Sequence, residues 1–327
     1  MKNPSRFEKT RRALLFWTLF IGLGAVAGAS GMLLDPTGKA MGMDAMLPYF
    51  QVLPLAEYLY QDFVFPGIAL LLVNGLTNLT AAGLLLARKR SGVILGGIFG
   101  VTLMLWICIQ FYIFPMNFMS TSYFIFGLLQ ALTGYMAWVF DKQERFCVRE
   151  SDYPAVGTNP RELVVCFSRM GYTKKLALEE ANCTGAQVLE LRSTERTEGT
   201  LGFWWCGRYG MHRWAMPIEE ITADLAGYDC VTICTPIWVF HLAAPTRAFC
   251  KAASGKIKRA KYVLVHHQRS SYAEAAQEMD SLLRLKAESV TTVCCRWGSY
   301  LSRKVIRQAD GASCLTRIEG SASNEVV

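Results

Sequence analysis

The chain has 327 residues, a net charge of +8 and 52% hydrophobic residues. Its mean hydropathy is positive, which is too apolar for one ordinary soluble domain and predicts that part of it lies in lipid. The apolar residues concentrate before about position 140 and the charged ones after it, so the +8 charge sits largely beside hydrophobic segments. That placement marks the cytoplasmic side of a membrane and argues against a nucleic-acid partner.

Four apolar runs, at about residues 13–34, 63–87, 93–114 and 121–140, reach the roughly 20 residues a helix needs to cross the hydrocarbon core. They predict an N-terminal all-α four-helix transmembrane domain over residues 1–140, its first helix retained and not cleaved as a signal peptide. Lys2, Arg6, Lys9, Arg11 and Arg12 precede the first run, Arg88-Lys89-Arg90 joins the second to the third, and Lys142, Arg145 and Arg149 follow the fourth. The opposite loops carry Lys39 against Asp35, Asp44, Glu57 and Asp62. The asymmetry orients the N-terminus and everything after the fourth helix toward the cytoplasm. The segment 41–62 between the first two runs, with Pro48, Pro54 and several aromatics, is expected along the interface.

None of the four runs carries Asp, Glu, Lys, Arg or His in its interior, which disfavours a pump or carrier. All four histidines (His212, His241, His266, His267) come later in the chain, which disfavours haem in the bundle. Asn74, Thr77, Asn78, Thr80, Gln110 and Gln130 remain as polar groups. Asn74 and Asn78 share a helix face and are read as interhelical hydrogen-bonding residues, or more sharply as a pocket for a quinone or lipid headgroup. Gly24-x-x-x-Gly28 and Gly96-x-x-x-Gly100 offer close helix approach.

Residues 141–160 read as a linker containing Pro154 and Pro160. From 161 to 309 short apolar runs alternate with helical patterns. Strands are expected at 162–167, 187–191, 229–235, 262–266 and 289–297, and helices at 172–182, 245–252, 272–285 and, as a basic helix, 300–308. This alternation predicts a parallel sheet with helices on both faces, whose ligands bind beyond the carboxyl ends of the strands. The Gly/Ser/Ala-rich residues 310–327 read as a mobile tail. Eleven cysteines without a C-x-x-C pair suggest buried, reduced thiols, and Cys294 and Cys295 should face opposite sides of the sheet.

Three loops carry the candidate chemistry. Ser168-Arg169-Met170-Gly171-Tyr172-Thr173-Lys174 suits a phosphate, because Gly171 permits a tight turn onto a helix start and Ser168 and Thr173 add hydroxyl donors. Thr235-Pro236-Ile237-Trp238 ends a strand on a large planar ring suited to stacking. His266-His267-Gln268-Arg269 ends the next. Adjacent histidines without a carboxylate or Cys cluster do not make a metal site. His241, near Trp238, is a candidate proton donor and more simply a polar loop residue.

Val164-Val165-Cys166-Phe167-Ser168-Arg169-Met170-Gly171-Tyr172-Thr173-Lys174-Lys175-Leu176-Ala177 resembles the opening of flavodoxins. Leu225-Ala226-Gly227-Tyr228-Asp229-Cys230-Val231-Thr232-Ile233-Cys234-Thr235-Pro236-Ile237-Trp238, followed by Ala244-Pro245-Thr246-Arg247-Ala248-Phe249, looks like the family's second flavin loop and the helix after it. The segment Gly202-Phe203-Trp204-Trp205-Cys206-Gly207-Arg208-Tyr209-Gly210 is similar to the long insert before the third strand in a membrane-associated flavodoxin-like subgroup. The resemblance implies an α/β flavodoxin-like three-layer fold with a five-stranded parallel sheet of order 2-1-3-4-5, and FMN as cofactor.

On that resemblance Ser168, Arg169, Met170, Gly171, Tyr172 and Thr173 would hold the phosphate, and Thr235, Pro236, Ile237 and Trp238 would border the ring. His267, Gln268 and Arg269 would lie at its third side, with Arg269 or His267 near the N1 and O2 edge. Met170 replaces the family's usual hydroxyl residue and removes one phosphate donor. The implied function is a membrane-anchored FMN-dependent electron-transfer protein taking electrons from a soluble donor to a membrane-associated acceptor such as a quinone. The alternative is an anchored sensor or scaffold that has lost its flavin.

Overall fold

A computed structural model describes residues 4–268 and 270–308 and divides the chain into two compact units, Met1–Arg145 and Phe146–Val327. Arg269 and the expected tail at 310–327 lie outside the described residues.

In the first unit four helices are long and apolar enough to cross a membrane by length and composition: α1 (Arg6–Leu34), α2 (Val64–Leu86), α3 (Arg90–Ile113) and α4 (Phe118–Arg145). Ser5 caps α1 by accepting a hydrogen bond from the Glu8 amide at 3.1 Å, satisfying one of the orphan donors of a helix start. Within α2 one π-helical stretch, Leu71–Leu76, interrupts the α-helix. The closest backbone approach joins α3 to α4: a Cβ added to Gly100 would fall 2.5 Å from the Ala131 nitrogen, and one on Gly134 would strike the Gly97 backbone. Gly24 and Gly28, by contrast, meet only the side chains of Tyr123 and Leu70. Of the polar groups within these helices, Gln130 donates to Asn78 Oδ1 at 2.8 Å and to the Gly96 carbonyl at 2.7 Å. Asn78 in turn donates to the Asn74 carbonyl at 2.9 Å. These bonds link α2, α3 and α4.

The second unit alternates strands and helices: β1 (Asn159–Cys166), α5 (Tyr172–Thr184), β2 (Ala186–Glu190), α6 (Gly199–Met211), β3 (Cys230–Trp238), β4 (His241–Leu242), α7 (Ala244–Ala252), β5 (Ala260–His266), α8 (Ala273–Leu283), β6 (Ser289–Arg296) and β7 (Ser299–Gln308). The sheet order is β2-β1-β3-β5-β6-β7, with β4 paired to β3 off this path. The pairings β2–β1, β1–β3, β3–β5 and β5–β6 are parallel, β4 pairs antiparallel with β3, and β7 returns antiparallel along β6.

Two expectations are corrected here. The sheet has seven strands, not five, and its order carries an added edge strand and an off-path hairpin. The basic segment expected as a helix at 300–308 is that edge strand. The two-residue turn at Trp297 and Gly298, both at positive φ (51° and 88°), folds the chain straight back onto β6, so pairing with a neighbour overrides local helical pattern.

The parallel strands are apolar on both faces, as sheets covered on both sides require. Leu163, Val165, Val231, Ile233 and Leu264 pack with Phe249 of α7 and Met279 of α8 on one side. Val164, Cys166, Cys234, Val263 and Val293 pack with Leu176, Ala177 and Ala181 of α5 on the other. Each fully buried aliphatic side chain contributes roughly 1.5–3 kcal/mol, which makes this double-sided core the rigid platform for the loops at its carboxyl edge.

Candidate functional site

At the carboxyl ends of β1, β3, β5 and β6 lies a cleft of about 370 Å³. The chain leaves β1 through Phe167, turns at Gly171, which adopts φ +86°, and enters α5 at Tyr172. The left-handed backbone at Gly171 costs a side chain strain that glycine avoids. It directs the first N–H groups of α5, which have no intrahelical acceptor, outward at a site favourable to an anion. Ser168, Arg169, Met170, Tyr172 and Thr173 line the cleft. Gly171 acts through its backbone: a Cβ there would fall 3.3 Å from the Phe146 ring.

Arg169 has a second task. Its Nε donates to the Thr197 carbonyl and an Nη to the Gly199 carbonyl, both at 2.7 Å, and its guanidinium lies 5.4 Å from the Phe203 ring centre. The turn after β1 is thereby fastened to the beginning of α6. Lys174, one step beyond the cleft, is held by Glu150 at 2.8 Å and Glu190 at 2.9 Å.

The opposite wall comes from the end of β3. Pro236, Ile237 and Trp238 line the cleft, with Trp238 edge-on to Phe167 at 5.3 Å. Gly210 of α6 packs on Trp238, where a Cβ would stand 3.1 Å from the Trp238 carbonyl oxygen. Thr235 does not reach the cleft, since it is buried and its hydroxyl donates to Thr246 Oγ1 of α7 at 2.8 Å. It fixes the strand end to the next helix.

The third side is formed by the end of β5. His267 lines the cleft, its ring 5.0 Å from that of Trp297. Burial, helped by the nearby Arg296 charge, lowers its pKa, so the ring favours the neutral form and serves as a hydrogen-bonding group. His266, which the sequence reading did not select, also lines the cleft. Its Nδ1 pairs with the Gln268 carbonyl, and desolvation lowers its pKa, the Gln268 bond opposing. Gln268 itself is exposed and outside the lining; Arg269 lies outside the described residues.

Phe203, Cys206 and Gly207 of α6, Val239, Val265, Cys295 and Trp297 complete the lining. Trp297 had one legible signal, the Trp-Gly pair between a strand and a basic segment. Among the described residues the lining contains no carboxylate, and Arg169 is its formal charge at neutral pH. Two buried polar atoms of these residues have no partner among the described residues: Tyr172 Oη and His266 Nε2. Buried polar groups ordinarily have one. Burial pushes the Tyr172 phenol up to about 12, keeping it a neutral donor. Among the described residues no group of three His, Cys, Asp or Glu side chains could hold a metal ion.

No family model matches the chain, and no curated protein matches it. Among solved structures it is similar to a candidate flavoprotein from Bacteroides eggerthii, at 20% identity and TM-score 0.37, covering 41% of this chain and 88% of that one. A second candidate flavoprotein, from Bacteroides uniformis, gives 20% identity and TM-score 0.34 over 38% and 82%. A flavoprotein in complex with FMN from Lactobacillus acidophilus gives 18% and 0.32 over 40% and 92%.

Proposed function

We propose that this protein is a membrane-anchored, FMN-dependent electron-transfer protein. The observation that carries the reading is the convergence, in one cleft, of an anion-favouring helix start with two hydroxyl side chains and a wall of aromatic rings. Ser168, Thr173 and the amides from Arg169 to Tyr172 would take the phosphate, and Trp238 with Ile237 would border the ring. FMN bound there would supply one- or two-electron transfer. The chain's own residues hold it, shield one face from water with apolar rings and keep the site free of negative charge. His267, whose lowered pKa favours the neutral ring, would contribute a hydrogen bond to the ring's N1 and O2 edge.

The basic loops of the first unit support an orientation with the N-terminus and the cleft cytoplasmic, where a soluble donor would deliver electrons for a membrane-dissolved acceptor of the quinone class. The second reading, an anchored scaffold without flavin, is favoured by Met170 in the phosphate loop. The visible spectrum of the detergent-purified full-length protein, followed by titration of the apoprotein with FMN, decides between them. Flavin absorption and saturable binding are expected; no flavin and no affinity in a folded protein leave the scaffold reading.

A further inference from the structure

Helices on a water-exposed surface turn their apolar side inward and their polar side out. Helix α6 does the reverse. Gly202, Cys206 and Gly210, spaced four apart, are buried against the unit, and the small inward stripe brings the helix backbone close to Trp238. Facing outward are Leu201 (65% exposed), Phe203 (56%), Trp204 (69%) and Met211 (62%).

Beside the C-terminal end of α6 the β3–β4 turn adds a second apolar element. Val239 and Phe240 occupy both turn positions at φ 47° and 67°, a conformation for which Asn-Gly is the usual solution. A β-branched and an aromatic residue there cost conformational strain, yet both side chains stand exposed, Phe240 by 61%. Arg213 of the α6 C-terminal loop reaches His241 at 3.5 Å, so the two elements adjoin.

We propose that this face docks on the surface of an anionic lipid bilayer, α6 lying in the interface with the Val239-Phe240 turn inserted beside it. The inference rests on the reading that Met1–Arg145 spans a bilayer. Three observations favour lipid over a protein partner. The face combines Trp, Phe, Leu and Met with arginines, the composition of interfacial helices. Residues 192–214 hold four arginines against two glutamates, and one of those, Glu195, is occupied by Trp205 Nε1 at 3.0 Å and by the Tyr209 hydroxyl; the surplus suits anionic headgroups. Tethering by four apolar helices also holds the face at high effective concentration near lipid. Because Phe203 and Val239 belong both to this face and to the cleft lining, docking turns the cleft mouth toward the bilayer, from which an apolar acceptor would enter.

The test uses full-length protein in nanodiscs of phosphatidylcholine and phosphatidylglycerol, with and without acyl chains brominated near the carbonyl. Tryptophan emission is compared for the wild type and Trp204→Phe, the difference being the Trp204 signal. Docking predicts that brominated lipid quenches this signal and that aqueous acrylamide does not. A Leu201→Asp/Phe240→Asp variant with unchanged thermal midpoint should reverse both. A Trp204 signal untouched by bromine overturns the proposal, whether acrylamide reaches it or a second copy of the chain shields it. The residual emission in Trp204→Phe includes Trp17, Trp106 and Trp138 of the apolar helices. If bromine leaves that residual emission unchanged, the spanning reading fails, and docking fails with it.

Discussion

Phe146 stands edge-on to Tyr172 with ring centres 4.7 Å apart, at the first residue of the second unit. The same ring lies against Gly171 and against Gly298 in the β6–β7 turn. The chain therefore walls the outer side of the turn after β1 before it forms any strand of the sheet. In Phe146→Ala that wall is removed, and FMN is expected to dissociate faster by about tenfold, the scale of one lost contact of about 1.4 kcal/mol. Stopped-flow release into excess riboflavin-binding scavenger measures it, and an unchanged or slower rate rejects the role.

Gly171 should tolerate no side chain. Left-handed backbone costs an L-residue roughly 1–2 kcal/mol, and the added Cβ meets the Phe146 ring. Gly171→Val is expected to lose FMN binding while retaining its far-UV circular dichroism, and Gly171→Ala to lose part of it. Isothermal titration with FMN separates the two.

Trp238→Ala removes the planar wall of the cleft and its edge contact with Phe167. Ring contacts contribute about 0.5–1.5 kcal/mol beyond area burial, so FMN affinity should fall about tenfold or more, and Trp238→Phe should recover most of it.

Arg247 is 2% exposed and forms a bidentate ion pair with Glu278, its Nε and Nη2 donating to the two carboxylate oxygens at 2.5 and 3.2 Å, while its Nη1 donates to the Trp214 carbonyl at 3.1 Å. It joins α7 to α8 and to the segment after α6. Removing one partner of a buried pair is costly because the other is left uncompensated; Arg247→Met should lower stability by about 3 kcal/mol in urea denaturation. Arg247→Met/Glu278→Leu should recover part of the loss.

Acid should weaken the second unit through the two histidines at the cleft, the buried His266 and the exposed His267. Desolvation lowers the pKa of His266, and desolvation followed by the Arg296 charge lowers that of His267, both from 6.5. The folded state thus binds fewer protons than the unfolded one. The stability these groups contribute is complete above about pH 6.5 and declines as pH falls through that value. Burial raises the pKa of Glu179 and Glu180 and acts in the opposite sense, so the comparison must be between proteins. The thermal midpoint of the wild type should drop more from pH 7 to pH 5 than that of His266→Asn/His267→Asn.

The sequence carried the alternation of elements and the turn after β1 because each has a local cause: period-2 and period-3.6 apolar patterns, and a glycine between hydroxyl residues. Trp238 was legible because it leaves its apolar run at a strand end. What was hidden depends on long-range pairing. Four glycines in α6 (Gly199, Gly202, Gly207 and Gly210) mask its helical character; Gly210 is explained by its packing against Trp238 and Gly202 by the Thr197 backbone, both contacts that local pattern does not reveal. Thr235 reads like its cleft neighbours until alternation along β3 turns it toward Thr246. Trp297 joins the site because β7 folds back on β6, which the basic pattern of 300–308 conceals.

That returning strand also governs what the molecule avoids. A parallel sheet ending at β6 would offer unpaired backbone groups to any extended chain nearby. With β7 in place the outermost strand carries Arg303, Lys304 and Arg307, and Arg307 is pinned to Asp280 at 2.7 Å. Like charges on facing edges repel, so two copies cannot easily zip their sheets together. The strand thus acts as a selvage, finishing the fabric so that it neither frays nor extends.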